Sequence, residues 1–239
     1  MITLYQFPRM LNIPNAGPFC LKLETFMRMA ELKYTVYELG DPRKAPNGKL
    51  PYIRDNDVEI ADSRVIIDYL TTHYDIGLDH HLSHQEKAVA HGFAIMLEEH
   101  YYWAILYNRW LTDNWPKLRD HFFKTMPPLV RNFVPNLIQR QVKSDIMAHG
   151  LGRHDPNTIY ELANQDMKAI SDFLEDKLFL MGDRPTQVDA TLYGMLMNVL
   201  HVPLPSPLKE FASRRQNLVT YVERMTKAYF PDYVERLGM

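Results

Sequence analysis

Cysteine is nearly missing from this chain: Cys20 is the single one in 239 residues. That excludes an intrachain disulfide and any cysteine-based zinc site, and it fits a reducing compartment. Long apolar runs are missing too, since no window approaches the roughly eighteen uninterrupted apolar residues of a membrane span. The start, Met1-Ile2-Thr3-Leu4-Tyr5, lacks the basic segment and apolar stretch of a signal peptide, so a cytoplasmic protein is expected. Nor does charge of one sign dominate. There are 27 Lys and Arg against 29 Asp and Glu, a net charge of −2, with the basic residues scattered. No electrostatic stripe points to nucleic acid or to an anionic membrane. Gly150-Leu151-Gly152 is too short for a nucleotide fingerprint and follows a helical pattern rather than a strand. No serine or cysteine triad is legible. Asp79, His80, His81 and His84 lie in a polar linker without a fixed face, so they read as a solvated loop and no metal site is expected.

What is present is apolar substance: 46% hydrophobic residues, 12% aromatic, and 13 methionines, enough to bury a large core in one large domain or two small ones. Up to about residue 75 short strands alternate with helices. Residues 2–7 read as a buried strand, 18–32 as a helix and 34–39 as a second strand. Residues 52–55 and 58–60 read as a hairpin turning on Asn56-Asp57, and 63–73 as a closing helix. In the first helix Phe19, Leu23, Phe26, Met27 and Ala30 share one face, while Lys22, Glu24, Arg28 and Glu31 are expected to look outward. Residues 76–83 suit a linker.

From residue 84 to 239 the pattern is helical throughout. Segments are expected over 84–111, 115–123, 130–148, 156–178, 190–202 and 217–229. Asp155-Pro156 has the form of an N-cap followed by proline at the first helical position. Thr186-Gln187-Val188-Asp189 resembles a capping box with Asp in place of Glu. Pro203, Pro205 and Pro207 are expected to stop the helix that follows it. The layout is an α/β unit over 1–75 and an all-α domain over 84–239.

Two features in the first unit share a purpose. Gly48-Lys49-Leu50-Pro51-Tyr52-Ile53 places a proline at the entrance of a strand, where its missing N–H is costly unless put to use. A cis proline there leaves the preceding N–H and C=O free to pair with an extended peptide. Nine residues after Ile53, Asp62-Ser63 opens a helix whose N-terminal N–H groups and Ser63 hydroxyl suit a carboxylate. Taken singly, Leu50-Pro51 reads as an ordinary strand entrance and Ser63 as an ordinary helix cap; their spacing favours a clamp.

In this order of elements the chain resembles the glutathione transferase superfamily, a thioredoxin-like α/β domain followed by an all-helical one. More narrowly it looks like the branch of the failed axon connections proteins, their bacterial relatives and the metaxins. The likeness is carried by Gln6-Phe7-Pro8-Arg9, Pro18-Phe19-Cys20-Leu21-Lys22-Leu23-Glu24-Thr25, Glu98-Glu99-His100-Tyr101-Tyr102-Trp103, His149-Gly150-Leu151-Gly152-Arg153 and Asp189-Ala190-Thr191. It continues through residues 221–225. The resemblance implies that Lys49 approaches the glycine end of glutathione and that Leu50, ahead of Pro51, pairs its cysteinyl backbone. It assigns the γ-glutamyl end to Asp62 and Ser63, with Lys44 as a weaker aid to a carboxylate. It implies a homodimer through the last helix of the first domain and the long helix that follows.

In the Cys-Pro-Phe and Ser-Pro-Phe forms that this sequence resembles, the reacting side chain lies just before the proline. Here that residue is Gly17, so a covalent protein thiol at that position is ruled out and only a backbone N–H and close approach remain. Glutaredoxin-like disulfide reduction is disfavoured by the same residue. Asn15 reads either as a hydrogen-bond donor to a thiolate or as a loop residue after Pro14. Cys20, in the first helical turn, reads either as a reactive thiol or as a buried structural one, with structure favoured. Tyr5 is expected to pack within the sheet.

A hydrophobic second substrate would lie between the domains against the long helix. Glu98, Tyr101, Tyr102, Trp103, Tyr107 and Arg109 supply its wall, although aromatics at helical spacing are commonly core. Tyr102 and Trp103 cannot both face the same way. Arg153 reads either as a guanidinium over an anionic ligand or as a helix-end cap. The expected activity is attack of the glutathione thiolate on a small apolar electrophile. The rival is a non-catalytic module that binds glutathione or a protein partner, for which Gly17 is the best support.

Overall fold

The computed structural model describes residues 1–124 and 127–238. The first domain is a mixed four-stranded sheet built from β1 (Ile2–Gln6), β2 (Tyr34–Glu38), β3 (Tyr52–Asp55) and β4 (Val58–Ala61). The spatial order is β2-β1-β3-β4, with β1 parallel to β2 and the other neighbours antiparallel. Asn56, at φ +52°, turns the β3–β4 hairpin, as Asn-Asp between two apolar runs predicts. β1 is not buried on both faces. Ile2, Leu4 and Gln6 point into the core, while Tyr5 lies on the outer face, stacked on Tyr52 at 4.2 Å and close to Tyr37 at 5.1 Å.

Helix α1 (Pro18–Met29) starts on Gly17 with Pro18 at its first position and ends three residues short of the expected boundary, where Glu31 turns to φ +53°. Its expected outward face is the largest revision. Lys22 and Glu24 are buried, as is Thr25, while Glu31 is exposed as expected. Helix α8 (Gln187–Leu200) covers Lys22. Glu24 is satisfied on the sheet side by Gln6 Nε2 (2.8 Å) and Arg9 (2.7 Å), with Arg28 (2.9 Å) from its own helix. A buried carboxylate is tolerated when paired and hydrogen-bonded in this way.

Helix α2 (Ser63–His73) closes the first unit. The segment after it is anchored rather than solvated. Ile76 and Leu82 are buried, and Asp79 accepts the Gln187 N–H at 2.8 Å, so it caps the start of α8. The expected helix over 84–111 is continuous but not uniform: α3 (His84–Ile95), a π-helical turn (Met96–Tyr101) and α4 (Tyr102–Trp110). Then come α5 (Trp115–Phe122), α6 (Pro128–His149), α7 (Pro156–Leu174), α8, α9 (Pro207–Ser213), α10 (Gln216–Tyr229) and the short α11 (Val234–Leu237).

Helix α8 is buried on every side from Val188 to Leu200, as the axis of an all-helical core should be. Its capping box forms. Asp189 Oδ2 accepts both the Thr186 N–H and its hydroxyl at 2.8 Å, and Oδ1 accepts the Leu180 N–H at 2.9 Å and the Tyr221 hydroxyl at 3.1 Å. Pro207 does not only stop a helix. With the Ser206 hydroxyl capping Lys209 N–H, it begins α9.

Candidate functional site

Register brings the two halves of the expected clamp together. Tyr52 lies directly opposite Ala61, so Pro51, just before Tyr52, and Asp62, just after Ala61, are neighbours at one end of the β3–β4 ladder. The Leu50–Pro51 peptide is cis. Asp62, at φ +75°, sits in a backbone conformation an L residue adopts only where its surroundings impose it. Its Oδ1 accepts the N–H groups of Arg64 (2.9 Å) and Val65 (3.3 Å), so Asp62, not Ser63, is the cap of α2. Ser63 is therefore released from capping. It is only 6% exposed, and its hydroxyl has no protein partner among the described residues. Lys49 is exposed beside Leu50.

The same end of the sheet meets the start of α1. Cys20, Leu50, Tyr52 and Ala45 form one small apolar cluster flanked by Tyr5, Phe7, Leu39 and Ala61. Cys20 is 1% exposed, and burial pushes its thiol up to about 12, with the Phe7 amide only partly opposing. It is a neutral packing group at physiological pH. Asn15 is fully buried, and its amide is engaged at both ends: Nδ2 donates to Phe7 O and Oδ1 accepts the Gly17 N–H, each at 2.9 Å. The Gly17 N–H is thereby spent inside the protein. The donors left at the helix start are the N–H groups of Phe19 and Cys20, together with the positive end of the helix dipole.

Of the aromatic wall, the structure brings Tyr102 to this place. Its ring meets Phe19 edge-on at 4.7 Å, and burial pushes its hydroxyl up to about 12, so it stays protonated and able to donate. Trp103 turns the other way and stacks on His149 at 4.6 Å. Tyr107 faces Tyr160 on α7, ring to ring at 5.9 Å. Arg153 is exposed and donates to Met147 O at 3.2 Å, which makes it a cap for the end of α6. Arg109, expected on the wall, is buried beneath it.

Long-range partners escaped the sequence reading. The π-helical turn directs Glu98 inward, where Oε1 accepts from Lys22 Nζ (2.7 Å) and the Thr191 hydroxyl (3.1 Å) and Oε2 from Arg64 (2.8 Å). This network ties α1, α2 and α8 together immediately beside Ser63. Its members lie 34 to 93 residues apart, so no local spacing reports it. Among the described residues no group of three or more His, Cys, Asp or Glu could hold a metal.

A thioredoxin-like α/β domain joined to an all-helical domain is the class that this fold defines. A family model for the glutathione S-transferase N-terminal domain matches residues 18–115, and one for the C-terminal domain matches residues 163–225. The chain is 32% identical over 237 residues to the isoprene-epoxide glutathione S-transferase of Rhodococcus sp. (strain AD45), covering 96% of this chain and 99% of that protein. It is 33% identical over 248 residues to the Drosophila melanogaster protein Failed axon connections, covering 98% of this chain but 59% of that longer protein. A metaxin-1 homolog of Caenorhabditis briggsae is 26% identical over 234 residues, covering 95% of this chain and 74% of that protein. Among solved structures, a glutathione S-transferase of Ceriporiopsis subvermispora in complex with glutathione shares the fold, with a TM-score of 0.67 at 18% identity over 95% of this chain and 97% of that one. The chain belongs to the glutathione S-transferase family.

Proposed function

We propose that the protein binds glutathione along the Leu50–Pro51 edge and promotes attack of its thiolate on a small, largely apolar electrophile. The observation that carries this reading is Ser63: its hydroxyl is free of capping duty, without a partner among the described residues, and placed by strand register beside the cis Leu50–Pro51 peptide. Such a hydroxyl, next to the N-terminal N–H groups of α2, is available to a ligand's carboxylate. In this reading Leu50 pairs the cysteinyl backbone, Asp62 and Ser63 hold the γ-glutamyl end, and exposed Lys49 meets the glycine carboxylate. The sulfur lies at the start of α1, where the Phe19 and Cys20 N–H groups supply donors. The thiol proton leaves to solvent and a sulfur–carbon bond forms. The electrophile's carbon–leaving-group bond breaks, or its ring carbon–oxygen bond does if it is an epoxide, with Tyr102 placed to donate a hydrogen bond to the developing oxyanion. The relative from Rhodococcus, named for an isoprene epoxide, makes small epoxides the first electrophiles to screen.

Calorimetric titration with glutathione tests the reading. Binding weakened by both Lys49→Ala and Ser63→Ala supports it, and no binding at millimolar ligand overturns it. The second reading, a glutathione- or protein-binding module without turnover, is favoured by Gly17, which withholds the usual hydroxyl or thiol. No helix among the described residues is long and apolar enough to cross a membrane, and we place the protein in the cytoplasm. A homodimer through α2 and α3 is supported by Val65 and Val89, exposed on those helices, and light scattering tests it.

A further inference from the structure

The loop that launches α1 is held from the second domain by a buried cation. Arg109, 5% exposed, donates from Nη1 to Ala16 O at 2.7 Å, and from Nη2 to Asn198 O at 2.8 Å and Asn198 Oδ1 at 2.7 Å. All three acceptors are neutral, and among the described residues no carboxylate pairs with it. Asn198 Nδ2 in turn donates to Asn15 O at 3.1 Å and Gly194 O at 3.0 Å. With Asn15 Oδ1 on the Gly17 N–H, the single peptide plane Ala16–Gly17 is gripped at its oxygen by Arg109 and at its nitrogen by Asn15.

A buried guanidinium costs desolvation energy that neutral acceptors only partly return. Burial lowers it from its ordinary value to about 10, so it remains a cation at neutral pH. Its field reaches the Tyr102 hydroxyl, which in turn senses the Cys20 sulfur one turn into α1. A charge arranged in this way lacks one thing, an anion, and the place it faces is the helix start.

We infer that Arg109 is a positioning residue whose uncompensated charge, transmitted through the clamped Ala16–Gly17 peptide, stabilises the thiolate of bound glutathione at the N-terminus of α1. This rests on the glutathione reading above. It explains how a chain with glycine at position 17 dispenses with a contacting hydroxyl: a fixed charge in a dry site acts at longer range than a hydrogen bond. The other charged groups do not duplicate it. Lys22 and Arg64 share Glu98, and Arg9 and Arg28 share Glu24, so each of those pairs of cations has a carboxylate in contact, whereas Arg109 has none among the described residues. Cys20 and Tyr102 stay neutral until high pH. Asp145 on α6 is the acidic group felt at Tyr102, and it opposes a thiolate.

The test is a pH titration of the ultraviolet absorbance of the thiolate with the protein saturated in glutathione, run on wild type, Arg109→Gln and Arg109→Lys, with calorimetry alongside. The bound thiol in wild type should titrate below free glutathione. Arg109→Gln should raise that midpoint by about one unit while leaving affinity for the neutral thiol form nearly unchanged, and Arg109→Lys should fall between. Identical midpoints in wild type and Arg109→Gln overturn the inference. So does a wild-type thiol that titrates like the free one, a result that needs no variant to fold. Glutathione bound with an unshifted thiol defeats this inference alone, whereas no glutathione binding to wild type defeats the underlying reading with it.

Discussion

Gly194 on α8 lies so close to Pro18 on α1 that a Cβ placed on the glycine would stand 2.7 Å from the Pro18 carbonyl oxygen and 3.1 Å from the Lys22 nitrogen. Both obstacles are backbone, so no side chain can swing aside. The absence of a Cβ is what allows α8 to press on the first turn of α1, the turn that carries the proposed thiolate site. Gly194→Ala should push the helices apart and cost about 1–3 kcal/mol of stability in denaturant titration. It should also weaken glutathione turnover more than glutathione binding. An unchanged denaturation midpoint would show that the two helices separate without penalty.

The Asp62-Ser63 pair divides its labour, and substitution can separate the two tasks. Asp62→Ala removes the cap of α2, which is worth about 1 kcal/mol of stability. Ser63→Ala removes a hydroxyl that bonds none of the described residues and should leave thermal stability nearly unchanged. Its expected effect is about a tenfold loss of glutathione affinity. Equal stability losses from the two variants would contradict this division.

Glu98 holds two cations from two helices, with Lys22 and Glu98 side chains 4% and 5% exposed. Glu98→Ala strands a buried ammonium and should cost about 3–5 kcal/mol. The paired change Lys22→Met with Glu98→Leu should recover most of that loss, and a double-mutant cycle measures the coupling. If the single and double variants are equally unstable, the carboxylate's value lies in Arg64 or Thr191 and not in Lys22.

That network also shows where sequence reading stops. The hairpin at Asn56-Asp57, the Thr186–Asp189 capping box and the helix entered at Pro156 are local chemistry, written in residues a few positions apart, and each forms as its spacing predicts. Lys22 and Glu24 obey the helical period of a solvated face just as faithfully, yet α8 covers Lys22 and the end of β1 with the loop after it covers Glu24. Their partners Glu98, Gln6 and Arg9 lie in other elements. Ile76, Leu78 and Leu82, three apolar residues in a polar stretch, are the cue that the segment before α3 is anchored. In the candidate site, the cis Leu50–Pro51 peptide and the start of α2 are legible because a cis-prone proline and a helix start are backbone features. The Arg109 grip on Ala16 was not, because an arginine on an aromatic helix face looks the same whether it meets solvent, substrate or a carbonyl 93 residues away.

The Cys20 thiol should be inert in the folded protein and sensitive to pH in a defined direction. Because the folded value is raised from 9.0 to about 12, the unfolded thiol ionises first, and the folded state holds the extra proton between those values. Stability from this group therefore falls as pH rises above 9.0, by up to about 1.4 kcal/mol per unit. Cys20→Ala should show a shallower alkaline loss than wild type in denaturant titrations. Alkylation of Cys20, followed by mass spectrometry, should proceed only as fast as the protein unfolds. Rapid labelling at neutral pH would restore Cys20 as a reactive thiol.

Gly17→Ser examines the position where the resemblance places the reacting group. Gly17 sits at φ −90°, so its backbone accepts a side chain. A Cβ there would lie 3.0 Å from Phe7 Cδ2, 3.2 Å from Cys20 Sγ and 3.3 Å from Asn15 Oδ1. These are side-chain atoms that can give by a few tenths of an ångström, so the variant should fold with a loss of about 1 kcal/mol. If backbone donors and the Arg109 charge already stabilise the thiolate, an added hydroxyl should leave turnover similar or raise it modestly. A large loss of turnover with intact glutathione binding would mean that the close approach glycine permits is itself required. The combination Gly17→Ser with Arg109→Gln then decides between the two devices: a hydroxyl that substitutes for the charge should return the bound thiol's midpoint toward the wild-type value, whereas a hydroxyl that merely fills space should leave it where Arg109→Gln put it.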